Sequence, residues 1–406
     1  MTSSIDASRS FLVALVIGIV ALAAGLVTGL ASGTFFSAYL VAFVFWTGLS
    51  LGALVLLLVN HMAGGSWGAV IRRPLEAMVS AIPLTALFFV PLVFGIGALY
   101  PWSDPAYLAT HPTVAFKTGY LNSVGFVLRS VLFFGIWTLM AWYYLRGARM
   151  QDAATPAEAG RIAYRLRSVA GLGIVVYVLT MTFASIDWGM SLNPEWWSGI
   201  YGVIFMISQA ITAMAFVILT MVALARGIPE IDRLLTWKRL QDLGNFMLGF
   251  TMFWAYVNIS QLIIQWTNNI VETNQFYVLR FYTEPWTGMG IYLAVAGFAL
   301  PFLLLLSRWV KRHRAALSIL VGWAFVNQAI HAYWYLAPES GRIGLPGFTD
   351  VLLFVGLGGL WMAFFLRSLA SRSLVPVHDP RLLPPPAPAR ARDHVPAERG
   401  PEVNHA

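Results

Sequence analysis

Residues 35–59 read FFSAYLVAFVFWTGLSLGALVLLLV and contain no charged side chain. A helix needs about 20 mostly apolar residues to cross the hydrocarbon core of a bilayer, so this stretch is long enough to span it. Similar stretches recur along the chain, separated by polar loops. The ten predicted spans are Phe11 to Leu30, Phe35 to Val59, Met78 to Ala98, Val124 to Leu145, Ser168 to Ala184, Gly199 to Ala225, Phe246 to Trp266, Gly288 to Leu306, Ala315 to Leu336 and Val351 to Leu366.

The composition places the chain in the membrane class. Of its 406 residues, 58% are hydrophobic and 11% are charged, against about 25% charged residues in an ordinary soluble domain. The net charge of +8 comes from Lys and Arg in short runs between apolar segments, which argues against nucleic acid as a partner. We therefore expect an all-α integral membrane protein with about ten transmembrane helices.

Basic residues are divided unequally between the two sets of loops. Loops two, four, six and eight contain fifteen Lys and Arg residues, whereas the other loops contain three. Because cytoplasmic loops collect Lys and Arg, both termini are predicted to be cytoplasmic. The fifteen residues are Arg72, Arg73, Arg146, Arg149, Arg161, Arg165, Arg167, Arg226, Arg233, Lys238, Arg239, Arg308, Lys311, Arg312 and Arg314.

A weak internal repeat divides the sequence. Phe35-Phe36-Ser37 opens the second span as Trp196-Trp197-Ser198 opens the sixth, which predicts two four-helix bundles in parallel orientation. Chance similarity of aromatic helix starts is the alternative. The predicted divisions are a peripheral first transmembrane helix at 1–34, a first four-helix bundle at 35–184, a second at 185–336, a last transmembrane helix at 337–370 and a disordered, Pro-rich cytoplasmic tail at 371–406.

Glycines spaced four residues apart mark two helix faces. Gly25, Gly29 and Gly33 lie on the first span, and Gly48 and Gly52 lie on the second. Such faces let helix backbones approach closely. Packing within the chain is favoured, and packing of the first helix against a partner subunit is the alternative.

The sequence excludes several cofactors. Cysteine is absent, which rules out iron–sulfur clusters, thiolate zinc sites and thioether-linked haem. Haem b in a membrane needs two axial ligands, yet only His331 among the seven histidines lies inside a predicted span. No histidine or carboxylate lies inside predicted spans two to five. We expect no cofactor bound covalently or by a metal ligand, which leaves quinone or quinol and lipids as candidate ligands.

Uncharged polar residues form stripes on three spans. Because each costs free energy in lipid, each is expected to face the bundle interior. A quinone site or a proton path between the sixth, seventh and ninth spans is one interpretation, and hydrogen bonds that only hold helices together are the other. The stripes are Trp254, Asn258, Gln261 and Gln265 on the seventh span, Trp323, Asn327, His331 and Trp334 on the ninth, and Gln209 and Thr212 on the sixth.

The loop between the fifth and sixth spans has two carboxylates among its aromatic residues. Residues 185–197 read SIDWGMSLNPEWW, without Lys or Arg, and contain Asp187 and Glu195. Both carboxylates are candidates for a proton path. Asp187 can accept a proton that leaves the membrane, or it can cap the sixth helix and pair with an arginine of a partner.

Several segments together resemble a known family. Residues 185–209, 254–265 and 301–308, with Leu99-Tyr100-Pro101-Trp102 and the 67–73 loop, resemble the ActF-type membrane subunit of bacterial alternative complex III, within the NrfD-like superfamily. The resemblance covers nearly the whole chain except its tail. The 187–198 segment is the most specific of these motifs.

This resemblance implies a multi-pass subunit of a quinol:electron acceptor (cytochrome c) oxidoreductase in the bacterial inner membrane. The implied partners are a larger NrfD-like membrane subunit and the haem c and iron–sulfur subunits. The family's quinol site is attributed to the larger subunit, so this chain is expected to act as a scaffold, with quinone binding and proton conduction as open roles. An independent secondary transporter with parallel repeats is the alternative.

Overall fold

The computed structural model describes residues 2–268 and 270–374, which form helices joined by short connections and contain no strand. The predicted tail from residue 375 onward lies outside the described residues. The long helices are α1 (Thr2–Ser32), α2 (Phe35–Ala63), α3 (Ser66–Val79), α4 (Ile82–Phe94), α5 (Ser123–Ala153), α6 (Pro156–Trp188), α7 (Tyr201–Ala225), α8 (Trp237–Asn268), α9 (Val271–Phe281), α10 (Trp286–Leu306), α11 (Arg314–Leu336) and α12 (Phe348–Ala370). Short helical turns occupy Ile96–Leu99, Pro101–Ser103, Pro105–Thr110, Pro112–Ala115, Phe116–Gly119, Met190–Leu192, Pro229–Leu234, Arg308–Arg312 and Pro338–Ser340.

The membrane class is confirmed. Within the described ranges, ten helical segments are long and apolar enough to cross a bilayer, and α3 and α4 together make up the third of them. Each predicted span coincides with one of these segments over most of its length. The chain is therefore an all-α protein with about ten transmembrane helices.

Local sequence explains where the helices differ from the predicted spans. The fifth span was predicted to begin at Ser168, but α6 begins at Pro156, where Thr155 and Glu158 form a capping box. The third segment breaks between α3 and α4 because Pro83 has no N–H to donate to the preceding turn. Because α6 begins at Pro156, Arg161 and Arg165 are helical, although they were predicted in a loop.

Three further predictions about charged residues are corrected. Arg72, Arg73 and Glu76 lie on α3, where Glu76 accepts hydrogen bonds from both guanidinium groups at 2.7 Å. A carboxylate therefore lies inside the third membrane segment, and Asp187 likewise lies inside the fifth. His61 lies in the last turn of α2, four residues longer than the predicted span. A hydropathy pattern assigns charged residues such as Arg72, Arg73 and Glu76 to loops, because it does not detect the ion pairs that stabilise them within a helix.

Helices α2 and α7 cross in close contact. A Cβ at Gly52 would lie 2.1 Å from the backbone oxygen of Gln209, and one at Gly48 would lie 3.0 Å from its Cγ. The glycines thus allow the backbones to touch, as predicted for packing within the chain. The bundle contacts are α2 with α3, α4 and α6, and α7 with α8 and α11.

The first and last spans form a pair at the side of the bundle. Gly18 of α1 meets Gly359 of α12, where an added Cβ on either residue would lie within 3.0 Å of the other helix's backbone. Gly25 packs against Leu353 in the same interface. Gly25 and Gly29 therefore face other parts of this chain, whereas Gly33 follows the end of α1 and an added Cβ there would meet no atom within 4 Å.

Candidate functional site

A small cavity lies beside the α2–α7 crossing, and α11 closes it. Its volume is about 40 Å³. Helix α7 places Gln209 in its wall and α11 places His331 there, so the cavity contains two of the predicted site residues. The lining residues are Val44, Phe45, Gly48, Phe205, Ser208, Gln209, Thr212, Gln328, His331, Ala332, Tyr335 and Leu336.

His331 is the central polar group of this cavity. It is buried, and its Nδ1 lies 3.4 Å from the Ser208 hydroxyl oxygen. Its Nε2 is also buried and has no hydrogen-bond partner in the part of the chain that the structure describes. The rings of Trp254 and Tyr335 surround it, with centroids at 5.0 and 5.2 Å. One imidazole nitrogen is therefore left for a ligand within the cavity.

Gln209 links three helices at the same level. Its Oε1 accepts a hydrogen bond of 2.7 Å from the Tyr177 hydroxyl of α6, and its Nε2 donates to the Met181 sulfur at 3.3 Å. Its side chain also faces Gly48 of α2. Gln209 therefore has partners for both ends of its amide and forms a fixed wall of the cavity.

Two further lining residues were missed by the sequence analysis. The Oε1 of Gln328 and the hydroxyl of Tyr335 are buried, and neither has a hydrogen-bond partner among residues 2–268 and 270–374. Gln328, His331 and Tyr335 are separated by three and four residues, so they share one face of α11. The spacing of these three residues could have identified Gln328 and Tyr335. The predicted stripe instead included Asn327, which lies on the adjacent face of α11.

The seventh-span stripe makes structural hydrogen bonds, as one of the two interpretations of the sequence expected. On α8, Gln261 accepts a hydrogen bond of 2.6 Å from the Ser198 hydroxyl, and Gln265 accepts one of 3.2 Å from the Trp196 indole. Both amides thus hold the loop before α7 against α8. Asn258 donates to the carbonyl of Trp254 in its own helix at 2.8 Å. Periodicity identified the polar face of α8, but it does not specify which element lies opposite.

Asn327 also faces away from the cavity, toward α10. Its Nδ2 donates to the Trp323 carbonyl at 2.9 Å and to the Ala296 carbonyl at 3.4 Å. Ala296 lies in a π-helical segment, Leu293–Ala299, and its carbonyl also accepts a hydrogen bond from the Trp323 indole. A π segment shifts the backbone hydrogen-bond register, so its carbonyls can accept side-chain donors.

Asp187 forms a buried ion pair with this chain's own Arg129. The two guanidinium bonds, Nε to Oδ2 at 2.8 Å and Nη2 to Oδ1 at 2.9 Å, are bidentate. Asp187 lies in the last turn of α6, whereas α7 begins at Tyr201 after Ile200, so the prediction that Asp187 caps the sixth helix was wrong. Its arginine partner within this chain is Arg129. Burial and then the nearby Asp187 carboxylate raise the pKa of Tyr120, whose ring stacks on Arg129.

Glu195 lies in the loop between α6 and α7. Its Oε1 is 3.9 Å from the Nε2 of His111, and both side chains are about one-third exposed. The structure therefore brings Gln209 and His331 together at one cavity. It places Asp187, Glu195, Gln261 and Gln265 around the loop that follows α6, and directs Asn258 and Asn327 to backbone carbonyls.

The size of the cavity limits what it can hold. A water molecule needs about 10 to 15 Å³ of such volume, so the 40 Å³ found here has room for about three waters. Binding sites for small organic ligands have volumes of about 300 to 1,000 Å³.

A comparison of the chain with models of protein families and with curated proteins finds no match.

Proposed function

We propose that this chain is a membrane subunit of a quinol-oxidising oxidoreductase complex, and that its His331 cavity conducts protons rather than binding the quinol. Complex membership rests on the resemblance of residues 185–209 and 254–265 described above. The role in proton conduction rests on one observation. The unpartnered polar atoms of Gln328, His331 and Tyr335 line a single cavity that has the volume of a few water molecules.

The chemistry of these groups suits proton transfer through water. Neutral imidazole has one nitrogen that donates and one that accepts. A hydroxyl and an amide oxygen can hold waters between them, each with two to four polar partners. Ser208 already contacts the other imidazole nitrogen, so a proton can enter at one nitrogen and leave from the other.

The proposed outlet for protons runs toward the outer end of α11. The Tyr335 ring lies 5.2 Å from the Tyr201 ring, and Arg280 donates to the Tyr335 carbonyl at 2.9 Å. Arg280 holds Glu339 by a hydrogen bond of 2.6 Å at the end of the helix. Because His331 lies five residues before the last residue of α11, the distance along the axis is only about 7 Å.

The test uses the assembled complex in liposomes with a pH-sensitive dye. We expect His331→Gln to lower the number of protons moved per electron at least tenfold while the complex still assembles. Asn258→Ala is the control, because Asn258 bonds only to its own helix in the described structure.

Equal proton movement in both variants, or none in the wild-type complex, would refute conduction through this cavity. Solute flux into liposomes that contain this chain alone would instead support the secondary transporter.

A further inference from the structure

A larger cavity lies at the opposite end of the bundle, between α1, α7 and α12. Its volume is about 770 Å³. The predicted orientation places this end at the cytoplasmic surface, together with the basic loops. The lining residues are Ser8, Phe11, Leu12, Leu224, Ile228, Leu366, Arg367, Leu369, Ala370, Arg372 and Leu374.

Arg367 and Arg372 line the polar side of this cavity, and Arg372 borders a buried cluster that has an excess of positive charge. Arg372 Nη1 lies 3.7 Å from Glu76, too far for a hydrogen bond, and has no hydrogen-bond partner within the described residues. Glu76 already accepts hydrogen bonds from Arg72 and Arg73, and Arg73 also pairs with Asp152.

A fourth guanidinium, that of Arg149, acts on Arg372 as well. Four guanidinium groups therefore face two carboxylates, and Arg367 on the rim adds another positive charge. Burial lowers the pKa of Arg372; Glu76 opposes this effect, and the neighbouring Arg73 and Arg149 add to it. An anion in the cavity would balance this charge.

The other side of the cavity is apolar. Phe11 and Leu12 of α1 face Leu366 and Leu369 of α12, and Leu12 is 55% exposed. This wall continues along the lipid-facing surface of α1, where Val16 and Ile19 are also exposed. A ligand that fits both sides has an anionic head and long apolar chains.

We propose that this cavity binds the headgroup of an anionic glycerophospholipid from the cytoplasmic leaflet. Arg367 and Arg372 bind the phosphate, for which the planar guanidinium is well suited because it can donate two parallel hydrogen bonds. The acyl chains lie along α1 beyond Leu12. Basic pockets between helices at the cytoplasmic surface are the typical sites for such headgroups. The lipid then closes the gap between the α1–α12 pair and α7.

The first experiment measures lipid retention. The full chain is reconstituted in nanodiscs with equal amounts of phosphatidylglycerol and phosphatidylcholine, and native mass spectrometry counts the lipids that remain bound after release. We expect wild-type protein to retain phosphatidylglycerol about thirtyfold more than phosphatidylcholine, because each of the two arginine contacts contributes about 1 kcal/mol. Arg367→Gln with Arg372→Gln should abolish this preference. The matched control is Arg161→Gln with Arg165→Gln. It changes two exposed arginines of α6 on the same predicted side of the membrane, and it should keep the preference for phosphatidylglycerol.

A second experiment leaves both arginines in place, in case their replacement unfolds the chain. Because the sequence has no cysteine, Leu12→Cys gives a single site for a fluorescent label. Phosphatidylglycerol with brominated acyl chains should quench this label more strongly than brominated phosphatidylcholine at the same mole fraction, in the isolated chain and in its native assembly.

Equal quenching by the two lipids, or equal retention by the double variant and wild type, would overturn the proposal. A label that neither lipid quenches in the native assembly would mean that a protein partner fills the cavity, which also contradicts it.

Discussion

Replacing Gly52 by alanine tests the helix crossing that shapes the candidate site. The new Cβ would lie 2.1 Å from the Gln209 carbonyl oxygen and 3.0 Å from the Ala213 Cβ. Backbone atoms cannot rotate away, so α2 and α7 must separate by about 1 Å. Overpacking of this kind costs about 1 to 3 kcal/mol. The cavity should widen as well, because Gln209 and Gly48 form its wall.

The matched control is Gly171→Ala on α6, where an added Cβ meets no atom within 4 Å. This change should be neutral or should stabilise the helix by up to about 1 kcal/mol. The assay measures the Tm of the purified chain, which is the temperature at which heating removes half of the monodisperse peak. We expect Gly52→Ala to lower the Tm by about 2 to 6 °C and the control to leave it unchanged or higher. If Gly52→Ala were as stable as the control, the close contact between α2 and α7 would be refuted.

Three other predictions follow from the sequence and the ion pairs. Alkaline phosphatase fused in the Asn193–Glu195 loop should be active and a fusion after Arg312 inactive, since the loops on the Arg312 side contain most of the cations; the opposite pattern would invert the topology. The purified chain should be colourless, and a stoichiometric Soret band persisting after removal of partner subunits would contradict this. Arg129→Met should destabilise the chain by about 3 kcal/mol because it leaves Asp187 charged and unpaired, whereas adding Asp187→Leu should restore much of the loss in a thermal-unfolding assay; equal stability of the single and double variants would show that the pair is unimportant.

The spans were predictable because length and apolarity are sufficient signals for crossing a bilayer. The prediction was less accurate at helix ends that carry charge. Arg72 and Arg73 were predicted in a loop, although Glu76 follows them at helical spacings of four and three residues. Such spacing allows ion pairs on one helix face. Counting these pairs would have extended the third span toward its true beginning.

The candidate site was predictable only in part. Sequence periodicity selected faces of α8 and α11 that are mostly buried, although Trp323 is exposed. It also selected His331 and Gln209, which line one cavity. It could not show that Gln261 and Gln265 face the loop before α7, because the rotation of a helix toward its neighbours depends on packing with distant residues. The π-helical segment beside Asn327 could not be predicted either, because its sequence is an ordinary apolar run.

The most direct test of the account is purification of the tagged full-length chain from its native membrane, followed by identification of the bound subunits and measurement of quinol oxidation. The account predicts a stoichiometric assembly that contains a larger NrfD-like subunit with haem c and iron–sulfur subunits, and that oxidises quinol with an added electron acceptor. A chain that purifies alone, without haem absorption and without quinol oxidation, would contradict it.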